Sequence, residues 1–427
     1  MKTLLFESLR VSFSGAESKG TSLTMSCKKD PDSAFRHNDF NAVYYDYFQD
    51  IWDSGQVYAD PSGWRYTGSH SANLLPDVNI NKADFGRYYL DEGDTLGDLK
   101  TRIIQLLESW EAHSLNVNQV TLYNSVSVAN ASVLAMLRKF GIESILFETP
   151  AYGVTINQAK QCGYRIELLP TYYKDNFALD LSSTKKRGPV AFWLTQPRMS
   201  LGIDQREETI QSLLNWLSGS DFLIVDEATE QRWPSILNRF TPDQFPRILR
   251  VRGLLKPLGL NGLRLSCVIH SAQLREELEE SQAITGASLD LYSLQMAAEL
   301  GSSQRLFSIM LEVANAQVTA LQQKAAMLAA GSGIRLSNLV NGYMGAAFIP
   351  FSGGIARYNH NRAELLRFCH SIRMPVILGA NMFFAFDPEW EQVRLNYFNR
   401  ENHIITALRE LSTFSRRIKQ EADQSTS

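Results

Sequence analysis

Four cysteines in 427 residues, at positions 27, 162, 267 and 369, are too few and too far apart for a disulfide framework, and no Cys-x-x-Cys pair offers a zinc site. They read as reduced thiols. The seven histidines, His37, His70, His113, His270, His360, His370 and His403, show no ligand spacing either, so no metal site is expected. No apolar run approaches the roughly 18 to 20 residues needed to cross a bilayer. Met1–Arg10 holds three apolar residues before a charge, too short for the core of a signal peptide. An excess of one charge is also missing: 42 basic against 45 acidic residues leave a net −3, which points away from nucleic acid and from an anionic membrane surface. The expectation is a cytoplasmic chain whose partner is a small molecule.

What is present is alternation. With 44% hydrophobic residues the chain can bury one large core and a smaller one. From 120 to 270, short apolar strand candidates (143 to 147, 165 to 169, 190 to 195, 221 to 226, 247 to 252, 264 to 269) alternate with helical stretches such as 151 to 162 and 205 to 218. This predicts an α/β fold with a mostly parallel sheet and helices on both faces. Earlier, Leu96, Leu99, Ile103, Leu106, Leu107 and Trp110 recur at helical spacing, and the aromatic run Tyr44 to Trp52 reads as a short amphipathic helix used for packing. Later, 287 to 330 reads as helical. Strands near 345 to 350, 375 to 378 and 392 to 398, with a closing helix over 400 to 420, then make a smaller α+β unit. The expected organisation is a partly disordered N-terminal arm over 1–40, a large domain over 41–320 and a small C-terminal domain over 321–427.

The chemistry is concentrated in Arg252-Gly-Leu-Leu-Lys256-Pro-Leu-Gly259-Leu-Asn-Gly262-Leu-Arg264. A lysine that condenses with an aldehyde must be able to lose its proton, and a phosphate needs a guanidinium that stays charged nearby. A surface lysine before a glycine-rich hairpin is the ordinary alternative. The segment from Lys256 to Arg264 resembles the lysine signature of the class I/II aminotransferases, fold-type I pyridoxal-phosphate enzymes, at every defined position. The resemblance implies pyridoxal 5'-phosphate as cofactor, with Lys256 as its Schiff-base lysine and Arg264 on its phosphate.

Other segments extend the resemblance in the expected order. Phe222-Leu-Ile-Val-Asp226 is an apolar strand ending in a carboxylate, where open α/β sheets bind ligands; a helix cap is the other use of such an aspartate. In the family this aspartate holds the pyridinium nitrogen. The Ser-rich turn between the strand at 120 and the following helix aims amides at an anion, so Ser125, Val126 and Ser127 are assigned to the phosphate, although a serine there also serves as a cap. Tyr152 after Pro150 matches the aromatic that stacks on the cofactor ring. Arg394 matches the arginine that binds the substrate α-carboxylate, for which a planar fork is suited; a solvated strand arginine is the alternative. Tyr89 is assigned to the loop that reaches a neighbouring subunit's phosphate, which implies a homodimer with a shared site.

The pattern also breaks. Met199 stands where the family has an asparagine, and Thr229 where it has a tyrosine, both directed at the cofactor's phenolic oxygen. Leu255 and Gly253 replace serines. Gln196 or Arg198 is a candidate for the lost contact, and Arg252 for extra phosphate charge. The expected activity is transfer of an amino group from an amino acid to a 2-oxo acid. A lyase, cyclase or oxidase using the same cofactor is the alternative, and an inactive homologue acting as a binding module is the second.

Overall fold

Short runs of β-branched and aromatic residues bounded by polar turns form the strands of this computed structural model, which describes residues 47–78, 95–111, 113–182, 184–232, 237, 238, 240–285, 289–351, 354–382, 387 and 389–426. The N-terminal arm and Tyr89 lie outside the described residues. The described residues belong to one unit, residues 31–427.

Seven strands make the main sheet: β1 (Val120–Tyr123), β2 (Ser144–Thr149), β3 (Arg165–Pro170), β4 (Val190–Thr195), β5 (Phe222–Glu227), β6 (Ile248–Gly253) and β7 (Ser266–Ile269), in the order β1-β7-β6-β5-β4-β2-β3. The pairs β2–β3, β2–β4, β4–β5 and β5–β6 are parallel, while β7 runs antiparallel to both β6 and β1. Every strand except the edge strand β3 is buried along its length, which explains why they read as continuous apolar runs. Helices α3 (Val126–Lys139), α4 (Gly153–Gln161) and α6 (Arg275–Thr285) cover one face through Val133, Leu137, Ile156 and Leu278. Helix α5 (Glu207–Trp216) covers the other through Ile210 and Leu213.

On the β1–β7 side, α2 (Thr95–Glu111) packs against α7 (Leu291–Ser302). Their backbones touch at Gly301, where a Cβ would run into the backbone carbonyl of Arg102. Gly301→Ala is therefore expected to cost about 2–3 kcal/mol by overpacking, seen as a lower urea midpoint at unchanged slope.

Helix α8 (Gln304–Ala329) leads through a short turn to a three-stranded antiparallel sheet, ordered β10 (Trp390–Asn396), β9 (Met344–Pro350), β8 (Arg335–Leu336). Helices α9 (Gly354–Ser371) and α10 (Glu401–Thr426) pack on it. The aromatic run joins this core: Tyr47, Phe48, Ile51 and Trp52, the last two on α1 (Gln49–Ser54), are buried beside Leu365 and Leu366. The expected strand at 375 to 378 is absent. Pro375 has no N–H to give, the Ile377 N–H donates to Ser62 Oγ at 3.0 Å, and a single bridge, Leu378 to Val393, remains. Among the described residues, no helix is long and apolar enough to cross a membrane.

Candidate active site

The carboxyl ends of the parallel strands open on one side of the sheet, and five of them deliver a residue there. After β1, Ser125 caps α3, its Oγ accepting from the Val128 N–H at 3.3 Å. The Val126 and Ser127 N–H groups are then first-turn donors with no partner inside the helix. After β2 comes Tyr152, at the N-cap of α4. Met199 follows β4. Asp226 ends β5, with Ala228 and Thr229 just beyond. Lys256 follows β6 and starts a single tight turn, Lys256–Leu258. The smaller part adds Arg394 from β10, with Tyr343, Met344 and Ile377, and the segment after α1 adds Gly63, Trp64 and Arg65.

These residues, apart from Ser125, Ser127, Val128 and Leu258 but with Thr195, enclose a cavity of about 210 Å³. That is the liquid-state share of about seven water molecules. A larger, open concavity of about 470 Å³ lies between α8 and residues 339–342, and none of the sequence-assigned residues lines it.

Asp226 is buried and accepts from the Ala228 N–H at 3.0 Å and from Asn130 Nδ2 at 3.4 Å. Burial pushes its carboxyl up, against those two bonds and the charge of Lys256. Burial lowers the Lys256 amine, Asp226 opposes this, and the positive charges of Arg264 and Arg394 add to it. The result is a lysine that gives up its proton more readily than usual beside a carboxylate that wants a cation. Arg394, also buried, is fixed in orientation because its Nε donates to the Ser62 carbonyl at 2.8 Å and its Nη2 at 2.5 Å.

Lys256, Asp226, Val126, Tyr152 and Arg394 thus meet around one cavity, as do the altered positions Met199 and Thr229. Ser125, Ser127 and Arg264 are not part of its wall; both serines are half-buried on the first turn of α3, and Arg264 is exposed. Arg252 does not face the cavity. Strand β6 ends at Gly253, so the alternation that would have aligned Arg252 with Lys256 stops there. Instead Arg252 and Arg250 form a buried quartet with Glu111 and Glu227: Arg252 Nη1 meets Glu111 Oε1 at 2.8 Å, Arg252 Nη2 meets Glu227 Oε2 at 3.1 Å, and Arg250 Nη2 meets Glu227 Oε1 at 2.9 Å. Arg250 also pairs with Glu111.

Gln196 and Arg198 are equally committed elsewhere. Gln196 Nε2 donates to Asp204 Oδ1 at 2.7 Å and to Glu230 Oε2 at 3.1 Å. Arg198 pairs with Glu148 at 3.1 Å and donates to Gln205 Oε1 at 2.8 Å. Gly253 has a steric reason, because a Cβ there would lie 3.0 Å from the Ala228 carbonyl and 3.3 Å from Lys256 Cδ.

Three contributors went unnoticed in the sequence. Trp64 follows Asp60-Pro-Ser-Gly63, a turn signal whose distance from the lysine hid its destination. Asn130 lies one turn into α3, outside the motifs, and reaches Asp226. Tyr343 sits in a loop between the lysine motif and the Arg394 strand, in neither of them.

A seven-stranded, mostly parallel sheet with a lysine and a buried carboxylate at its carboxyl edge, and a smaller α+β part carrying an arginine, defines the aspartate-aminotransferase class of fold. The chain belongs to the aminotransferase class I and II family, whose model matches residues 88–331. A histidinol-phosphate aminotransferase of Pectobacterium carotovorum is 28% identical over 141 residues, 32% of this chain and 39% of that protein. The chain thus matches less than half the length of such curated relatives; the figure is 49% for one from Pasteurella multocida. An aspartate aminotransferase of Thermotoga maritima shares the fold with a TM-score of 0.69 at 15% identity, over 86% of this chain and 94% of that one. An Escherichia coli protein with a methionine aminotransferase function gives 0.71 at 12% identity, over 87% and 96%.

The family depends on pyridoxal 5'-phosphate, and the residues present fit it. A buried carboxylate short of a cation suits a pyridinium N–H, and a desolvated amine suits an aldehyde carbon. The Asn130 Oδ1 atom and the Tyr343 hydroxyl are buried with no hydrogen-bond partner among the described residues, polar capacity that a ligand can satisfy.

Proposed function

We propose that the chain transfers an amino group from an amino acid to a 2-oxo acid, using pyridoxal phosphate held by Lys256. The observation that carries this reading is the convergence of Lys256, Asp226 and Arg394 on one cavity. When bound, the cofactor supplies an electron sink for the substrate's α-carbon. Asp226 holds the ring nitrogen, Tyr152 packs on the ring, and Ser125, Val126, Ser127 and Arg264 hold the phosphate. Arg394 receives the α-carboxylate, and Lys256 Nζ takes the proton at the α-carbon as a neutral amine. Trp64, Met199, Met344 and Ile377 form an apolar wall, which suits an apolar or aromatic donor side chain.

The same reading makes the protein a cytoplasmic homodimer in which Tyr89 of one copy serves the phosphate site of the other. A large domain over 41–320 and a small one over 321–427 are joined along α8. Met199 and Thr229 on the cavity wall favour one second reading, a lyase, cyclase or oxidase with the same cofactor.

Purified protein loaded with pyridoxal phosphate is given apolar and aromatic amino acids, with and without a 2-oxo acid acceptor. The expected result is a 2-oxo acid formed from the donor only when acceptor is present, with the amino group recovered on the acceptor. Ammonia or a cyclised product without acceptor selects the second reading. Failure to bind the cofactor overturns both.

A further inference from the structure

Two loops that the resemblance assigns to the cofactor's phenolic oxygen carry Met199, which has no donor, and Thr229, whose hydroxyl sits on a much shorter side chain than a tyrosine's. Both loops are bound by a third. In the loop before β9, the Val340 and Asn341 N–H groups donate to the Gly202 carbonyl at 2.8 and 3.0 Å. Asn341 Oδ1 in turn accepts from the Gln231 and Arg232 N–H groups at 3.0 and 3.1 Å. Gly342 follows at φ +72°, so tight against the altered positions that a Cβ would lie 2.8 Å from the Thr229 carbonyl and 3.1 Å from Pro197 Cγ. The next residue is Tyr343.

The Tyr343 ring meets Trp64 edge-on, with centroids 5.6 Å apart, and Phe398 at a 40° tilt, with centroids 4.7 Å apart. It lines the cavity with Lys256, Asp226 and Arg394, and the charges of Arg394 and Asp226 act on it. Its hydroxyl is fully buried with no partner among the described residues. An orphaned buried hydroxyl is costly, and a cofactor held in the cavity that this ring lines would offer it a hydrogen-bond acceptor. We propose that Tyr343 donates a hydrogen bond to the phenolic oxygen of bound pyridoxal phosphate, replacing from the small-domain side the contacts that Met199 and Thr229 no longer make. This rests on the pyridoxal-phosphate reading above.

A donor on that oxygen draws off negative charge that would otherwise hold a proton on the neighbouring nitrogen of the lysine linkage, so its removal raises that proton's pKa. The test titrates the visible band of the loaded protein against pH, measures cofactor affinity by dialysis, and measures the thermal midpoint of the cofactor-free protein. In Tyr343→Phe the band's midpoint is expected to rise by about one pH unit and cofactor affinity to fall about tenfold, the size of one charge-assisted hydrogen bond. The cofactor-free midpoint stays equal or rises, because phenylalanine keeps the ring packing and removes only the orphaned hydroxyl. Adding Met199→Asn to Tyr343→Phe is expected to bring the band's midpoint back towards wild type.

An unchanged band midpoint and affinity in Tyr343→Phe overturn the proposal. So does a shift produced by Thr229→Val but not by Tyr343→Phe, which makes Thr229 the donor. A destabilised cofactor-free Tyr343→Phe overturns it too, because the hydroxyl then has a structural partner. A wild-type protein without a visible band is a different failure, that of the cofactor reading itself.

Discussion

Lys256→Ala is expected to abolish the visible band of the loaded protein and to lower turnover by on the order of 10⁴-fold or more. In the proposed reading, alanine removes both the amine that holds the cofactor and the base beside the substrate's α-carbon. The native environment prepares the amine for both tasks: burial first, then the nearby charges of Arg264 and Arg394, lower its pKa, while Asp226 limits the fall. Lys256→Arg, which keeps a positive charge but cannot act as a neutral amine, is expected to be as inactive as alanine. Spectra before and after dialysis, with single-turnover assays, check both variants. Retention of most activity by either one contradicts the assignment.

The second large effect concerns stability and lies outside the cavity. Glu111→Gln leaves Arg250 and Arg252 facing one carboxylate, Glu227, where all four side chains are buried. Breaking a buried ionic cluster from one side is expected to cost about 3–5 kcal/mol, read from the urea midpoint. It also has a pH signature. Burial by itself pushes the Glu111 carboxyl up, but Arg250 and Arg252 more than offset this, so its folded pKa lies below the ordinary glutamate value of 4.5. A depressed pKa of this kind gives stability that is full above the unfolded value and is lost as pH falls through the lower, folded one. The stability gap between wild type and Glu111→Gln is therefore expected to be constant near neutrality and to narrow in acid.

The misplacement of Arg252 shows where sequence reading stops. Its charge and period-two position were plain, but the partner that decides its fate, Glu227, is set by β5–β6 register, and Glu111 comes from a helix more than a hundred residues earlier. The strands themselves were legible because all but the edge strand β3 are buried on both faces, and all are punctuated by polar turns. Their predicted limits at 165, 190 and 195 coincide with those of β3 and β4, and most others fall within two residues. Lys256, Asp226, Tyr152 and Arg394 were findable because each stands in a local motif. Trp64, Asn130 and Tyr343 were not, since each is recognisable only by what it meets in space. Gln196 and Arg198 failed for the opposite reason: they occupy a suggestive place in the chain, but nearby carboxylates and amides take up their donors.

The cavity is fed by five strand ends, a segment from early in the chain and the small sheet, each supplying one to four side chains. Such a site is redundant in its sources. A donor lost from one loop leaves space that a side chain on another can enter, without moving the lysine or the carboxylate that define the chemistry. A gap in a linear signature therefore records which segment has surrendered a task, and only the neighbours of that gap in three dimensions tell whether another has taken it up.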